Sequence, residues 1–523
     1  MMARSSSLAL ALCLLAAHPA AAQEAVQAFS SAQAVSQTVP FPTMSWEKSL
    51  PVTFNSNPNS TTIVPFGGTE TRALVFMDGS LYAGIGDWED PLLNNPSTPG
   101  PQVIRLDSPW GNWVEDQNLK SLVINQVGQK KYQAISILGT VYFDHDMNKN
   151  LISPVNVLLA GFWNNLSHTM DIAQKTGAAG SWQVVHLAPA PTGQVRSLIG
   201  YTDSVTQQEM AFAGAYAIFS GAYDAASNNI LWGKQPEAGT VGVTLGTGHD
   251  RMMSMAECDG SLYATDYTTV LRRINGNTPY WKIIYEVAPT HAYQATAGSG
   301  FRGLSCVPNT HGTGNMLIAF WEGQGGAAPP ESDVQAYDIP TDQDSFTAVV
   351  EKDLSLTFSG SDTIGGIVAY NNTIVYPYSG SESCPDIIAG TQLWSTQTRT
   401  TLNYLVRHCD GSYNIYAIHD SNPLRAIRSI VVSKFPGDPV GTLYAGGYDA
   451  DNRPAHNTNW VYRGLPPYTP AGIVFAGLPG RADCVNESVS ALTRKYPGLD
   501  AAAADLEYPD AKALDDAILE HCQ

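Results

Sequence analysis

The chain has 523 residues, with 28 Lys and Arg against 47 Asp and Glu, for a formal net charge of −19. That balance excludes nucleic acid as a partner, because phosphate backbones demand clustered basic residues. Charged residues make up only 14% while aromatics reach 10% and Gly and Pro number 46 and 33, the profile of a turn-rich all-β protein rather than a disordered or coiled-coil one.

Arg4, an apolar run over 8–17 and the small residues Ala20-Ala21-Ala22 give residues 1–22 the three regions of a secretory signal peptide. The run is too short to span a bilayer and no later stretch approaches that length, so the expectation is a soluble, secreted, extracellular protein without a membrane span. Outside this segment stand Cys258, Cys306, Cys384, Cys409, Cys484 and Cys522. An even count in an exported chain favours disulfide bonds, read as pairs of sequence neighbours with Cys484–Cys522 tying down the tail. Acceptor sequons at Asn59, Asn165, Asn371 and Asn486 suggest a glycoprotein. Residues 23–66 contain five prolines and no repeat. They read as an N-terminal lead-in that contributes a closing strand, with Val52–Phe54 or Ile473–Ala476 as sources.

A hairpin phrase then recurs. Arg72 opens an apolar strand that runs through Asp78-Gly79 into Leu81-Tyr82-Ala83-Gly84, and Arg251 opens another that runs through Asp259-Gly260 into Leu262-Tyr263-Ala264. Asp-Gly supplies the positive φ of a two-residue hairpin turn. Looser copies start at Tyr132, Arg196, Arg302, Gly365 and Arg428, spaced 51–64 residues apart, with turns expected at Gly139 and at Asn371-Asn372. Third and fourth strands are expected at 103–106, 182–187, 269–274 and 280–285. Strand-bearing units of this length form radial β arrays. The repeats resemble seven-bladed β-propellers over residues 67–475, at the level of architecture. That resemblance implies a channel face that holds ligands, and it matches no single family closely enough to transfer catalytic residues. Residues 476–523, rich in Ala and Leu, read as a C-terminal helical tail.

Pairing across each turn brings the opening Arg near an acid at the end of the second strand: Arg72 with Asp87, Arg251 with Asp266, Arg196 with Asp224, Arg302 with Glu322, and Arg428 with Asp449. A pair repeated in nearly every unit is most simply a structural fixture, so function is sought where the repeat breaks. The unit at Tyr132 lacks the Arg and its second strand is expected to end Asp144-His145-Asp146, a His tuned between carboxylates for acid–base work. Aromatic planes beside acids suit sugar recognition: Asp87-Trp88, Asp266-Tyr267, Trp321-Glu322 and Tyr448-Asp449. His249 precedes an inner strand on the same face. No phosphate loop, Gly-x-Ser-x-Gly elbow, zinc spacing or sialidase-type Asp box occurs. No cofactor or metal is expected; Asp449-Ala-Asp451-Asn452 resembles part of a calcium loop but lacks its Gly and Glu.

The resemblance to extracellular glycan-active propellers implies a carbohydrate-active enzyme working on a glycan or polysaccharide as a monomer. Three readings stay open. The first is a glycoside hydrolase with Asp87, His145, Asp146, Asp266 and Glu322 as catalytic candidates. Trp88, Arg72, Arg251, Tyr267, Arg302, Trp321, Tyr448 and His249 would then contact substrate. The second is a polysaccharide lyase on uronate polymers, in which Arg72 or Arg251 neutralises the uronate and His145, His249 or Tyr267 takes the proton. The third is a non-catalytic glycan- or protein-binding propeller.

Overall fold

A computed structural model describes residues 39–50, 70–87, 101–119, 133–164, 169–189, 194–239, 252–266, 269–286, 300–309, 314–322, 334–340, 349–353, 367–381, 383–393, 401–420, 424, 426–448 and 459–467. Met1–Val39 and Pro40–Gln523 form separate units, and all the named strands belong to the second. Among the described residues every regular element is a strand.

After β1 (Ser45–Leu50), the first sheet contains β2 (Glu70–Met77), β3 (Ser80–Asp87), β4 (Gln102–Leu106) and β5 (Val114–Asn118), with the short β6 (Gln133–Ala134) added to β3. Next come β7 (Ile137–His145), β8 (Leu151–Asn164), β9 (Thr169–Thr176) and β10 (Gln183–Pro189). The third sheet is β11 (Ser197–Thr202), β12 (Glu209–Gly214), β13 (Ile218–Asp224) and β14 (Asn229–Trp232). The fourth is β15 (Ser254–Cys258), β16 (Ser261–Thr265), β17 (Thr269–Ile274) and β18 (Tyr280–Glu286). The fifth is β19 (Gly300–Pro308), β20 (Asn315–Glu322), β21 (Val334–Pro340) and β22 (Val349–Asp353). The last sheet joins β23 (Ile367–Ser381), β24 (Cys384–Leu393), β25 (Thr401–Arg407) and β26 (Tyr413–His419) to β27 (Ala426–Val432), β28 (Leu443–Tyr448), β29 (Asn459–Leu465) and β1.

Each run is an antiparallel meander. The first strands neighbour one another in the order β2, β7, β11, β15, β19, β23, β27, and β27 returns to β2. This is a β-propeller. The sequence expects seven separate blades, whereas hydrogen bonding among the described residues gives six sheets, because Gln392 pairs with Ala426 and joins the last two repeat units into one eight-stranded sheet.

The Asp-Gly turns form as expected, with Asp78 and Gly79 at φ 48° and 82° and Asp259 and Gly260 at 49° and 72°. Two expected turns do not form. β7 runs straight through Gly139, and β23 runs through Asn371 and Asn372, which occupy a register shift between Ala369 and Thr373. The fourth strand of the closing run is β1, with Ser45 opposite Leu465 and Lys48 opposite Tyr462.

The core lies between sheets. Val141, Phe143, Leu159 and Ile172 of the second sheet pack with Ala213, Phe219 and Ile230 of the third. Leu74, Phe76 and Ile104 pack with Tyr444, Val461 and Leu50 of the closing run. Polar groups seal three of the boundaries in the same way. An acid at the outer side of one sheet meets a cation on the third strand of the next and an aromatic donor on, or just before, its fourth strand. Lys175 Nζ lies 2.9 Å from Asp116, which also accepts from Trp182 Nε1 at 2.6 Å. Arg273 and Trp281 meet Glu237 at 2.8 and 3.3 Å. Arg407 and Tyr413 meet Glu351 at 2.8 and 2.7 Å.

Disulfides Cys258–Cys306 and Cys384–Cys409 join sequence neighbours as expected. The first links two adjacent inner strands, β15 and β19. The signal peptide, Cys484–Cys522, the sequons at Asn59, Asn165 and Asn486, and the helical tail lie outside the described residues.

Candidate functional site at the channel rim

The inner strands all start at one rim, and serines link five of the seven neighbouring pairs. Ser136 Oγ donates to the carbonyl of Val195 at 2.6 Å, and Ser197 Oγ to that of Met252 at 2.9 Å. Ser254 Oγ accepts from the Leu304 amide at 3.0 Å, Ser305 Oγ bonds Thr373 Oγ1, and Ser429 Oγ accepts from the Leu74 amide at 3.0 Å. The second strands end at this same rim.

Local irregularity aims the arginines. In β2 the register passes from Thr71–Ile85 to Ala73–Gly84, leaving Arg72 as the extra residue of a β-bulge. In β27 it passes from Ile427–Gly447 to Ser429–Gly446, leaving Arg428 extra in the same way. A third register shift begins at Arg302. A bulge breaks the alternation of the strand and redirects the side chain it carries.

Arg72 and Arg428 converge on Glu70. Arg72 Nε lies 3.3 Å from Oε1 and Arg428 Nη2 lies 3.4 Å from Oε2, while Glu70 itself is 1% exposed. Arg72 also donates to Gln194 Oε1 at 3.4 Å, and the Arg428 guanidinium lies 4.7 Å from the Tyr448 ring centre. Arg302, near the start of β19, and Asp266, one residue past the end of β16, are buried at the same rim, and the Asp266 amide donates to the Thr269 carbonyl at 2.9 Å.

The expected site residues divide by rim. Asp87 and Glu322 are the last residues of β3 and β20, and Asp266 directly follows β16, so all three lie at the rim where the inner strands start. Glu322 stands opposite Gly300, two residues from Arg302, and Trp321 stands opposite Phe301. Tyr448 is buried under Arg428, so it orients that cation. Trp88, His249, Arg251, Tyr267 and Asp449 lie outside the described residues. Asp224 is not near Arg196: it ends β13 at the opposite rim and caps the amides of Ala226 and Ser227.

His145 and Asp146 are also at the opposite rim. Because β7 does not turn at Gly139, Asp144-His145 ends the first strand of its sheet rather than the second. Asp146 serves its own turn, accepting from the amides of Asn148 and Asn150 at 2.8 Å and from Asn150 Nδ2 at 3.0 Å. His145 stands between two carboxylates: Nδ1 is 3.4 Å from Glu209 Oε1 and 2.5 Å from Asp144 Oδ1. Hydrogen bonding to Glu209 first, and then to Asp144, raises its pKa above the ordinary imidazole value.

Sequence reasoning missed Glu70, Gln194 and Glu209. Glu70 carried one signal, its place two residues before the repeated Arg.

No protein-family model and no curated protein matches this chain. Solved structures do resemble it. One is an α-L-arabinanase from Penicillium chrysogenum complexed with arabinobiose, with 12% identity, 81% of this chain and 98% of that chain covered, and a TM-score of 0.40. Another is an α-L-arabinofuranosidase from Fusarium graminearum with an iminosugar inhibitor, with 10% identity, 82% and 98% covered, and a TM-score of 0.40.

Proposed function

We propose that this chain is a secreted glycoside hydrolase, a carbohydrate-active propeller whose paired carboxylates work at the channel rim. One observation carries the reading: Asp87 and Glu322 end the second strands β3 and β20, and Asp266 directly follows β16, at the rim where β-bulges carry Arg72 and Arg428. Glycosidic cleavage needs two carboxyl groups, one to protonate the leaving oxygen and one to act as nucleophile or to activate water. Asp87, Asp266 and Glu322 are the candidates for these roles. Glu70 is engaged by two guanidinium groups and serves to position Arg72 and Arg428. We read the eight-stranded sheet as two blades, each a four-stranded meander with its own inner strand, which makes seven. The two disulfides support an oxidising, extracellular setting.

The convergence of Arg72 and Arg428 on Glu70 at the rim favours a second reading, elimination on a uronate polymer, since guanidinium groups pair with carboxylates. A panel of neutral and uronate polysaccharides, assayed for reducing ends and for ultraviolet-absorbing unsaturated ends, separates the two. Replacing Asp87, Asp266 and Glu322 singly by their amides is expected to lower hydrolysis at least ~100-fold at two of the positions. Saturable binding without product, unchanged by all three replacements, overturns both catalytic readings and leaves a binding propeller.

A further inference from the structure

We propose that Asp144, His145 and Glu209 form a divalent-cation site of the zinc type at the rim opposite the channel-rim carboxylates. The inference stands apart from the glycan chemistry and uses the one part of the sequence singled out for acid–base work that the channel rim does not absorb. His145 and Asp144 close β7, and Glu209 opens β12 in the next sheet, so the group bridges a sheet boundary. One donor atom from each residue lies within 4.8 Å of the other two.

The carboxylate from the neighbouring sheet is pre-set. Glu209 Oε2 accepts the amides of Asp144 and His145, both at 2.9 Å, which leaves Oε1 turned towards the imidazole. Outer hydrogen bonds of this kind fix the orientation of metal-ligating carboxylates. The two turns that carry the group are themselves tied. Lys149 Nζ donates to the Thr206 carbonyl at 2.7 Å, and the Met147 amide fastens the first turn to β13 through the Tyr223 carbonyl at 2.6 Å.

An imidazole nitrogen with two carboxylate oxygens is a zinc donor set, whereas calcium takes oxygen ligands. Ligand bonds of about 2 Å put tetrahedral donors about 3.3 Å apart, between the shortest separation in the group, 2.5 Å, and its 4.8 Å limit. Small rotations of exposed side chains close the difference. The His145 and Asp144 side chains are 41% and 36% exposed, so the ion has a path of entry and an open position for water.

The test is calorimetric titration of Zn2+ alone into the full chain at pH 7.5, with Co2+ absorption to report tetrahedral N/O coordination. One saturable site per chain is expected. His145→Ala and Glu209→Gln should each weaken it at least tenfold, while His186→Ala, an exposed histidine on the same sheet, leaves it unchanged. Circular dichroism of each variant confirms folding, and Asp144→Asn, which keeps the backbone contacts to Glu209, supplies a third readout. Absence of a saturable site, or binding undiminished in folded His145→Ala and Glu209→Gln proteins, overturns the proposal and leaves His145 as the cation of a two-acid ion pair.

Discussion

Individual charges do most of their work between sheets. Arg273, 2% exposed, holds Asp203 of the preceding sheet at 2.6 Å and Glu237 at 2.8 Å. Burial alone would raise the Asp203 carboxyl, but the guanidinium and the amides of Thr206, Gly276 and Val205 outweigh it and hold the pKa at about 2. A carboxyl depressed in the folded state contributes stability above its unfolded pKa, near 4, and that contribution is lost as pH falls towards 2. Denaturant unfolding at pH 6 and pH 2 should show an Asp203-dependent loss on the order of 2 kcal/mol. Subtracting the same curves for Asp203→Asn isolates it. The variant should be less stable at pH 6, because removal of one partner leaves Arg273 in a buried site with reduced compensation.

At the scale of strands, small residues decide how closely sheets approach. A Cβ built on Gly84 would stand 2.6 Å from Ile135 Cγ2, and one on Gly446 2.7 Å from Thr71 Cγ2. Both glycines follow Leu-Tyr-Ala, so the repeated phrase encodes the spacing of sheets as well as the hairpin. Gly84→Val is therefore expected to cost about 1–3 kcal/mol by overpacking, read as a lower midpoint in thermal or denaturant unfolding. The same reasoning marks where the sequence misleads. Asp78-Gly79 and Asp259-Gly260 could be read directly because turn chemistry is local. Gly139 resembles a turn residue, yet it lies inside a strand where a Cβ would come 3.0 Å from Leu198 Cβ. Asn371-Asn372 likewise mark a register shift inside β23. The repeated Arg made the channel rim legible. Its partner Glu70 was not, because the second guanidinium comes from Arg428 near the other end of the chain.

For the molecule as a whole, stability depends on closing the ring of sheets. β1 covers the edge of β29, buries Leu50 at 1% exposure, and brings Glu47 within 2.8 Å of Arg463. Phe41 and Met44, just upstream, pack into the core of the closing run. Removing residues 1–50 strips Phe41 and Met44 from that core and Leu50 from the cluster shared with the first sheet, a loss of roughly 5 kcal/mol or more. A large drop in melting temperature is expected; an unchanged one means that the ring holds without β1.

Ser45 stands directly across from Leu465 in that closing pair. The last sheet is in this sense a hairpin without its turn. Joining Leu465 to Ser45 through Asn-Gly would supply that turn, at the cost of Phe41 and Met44, which lie just upstream of β1 and pack into the core of the closing run.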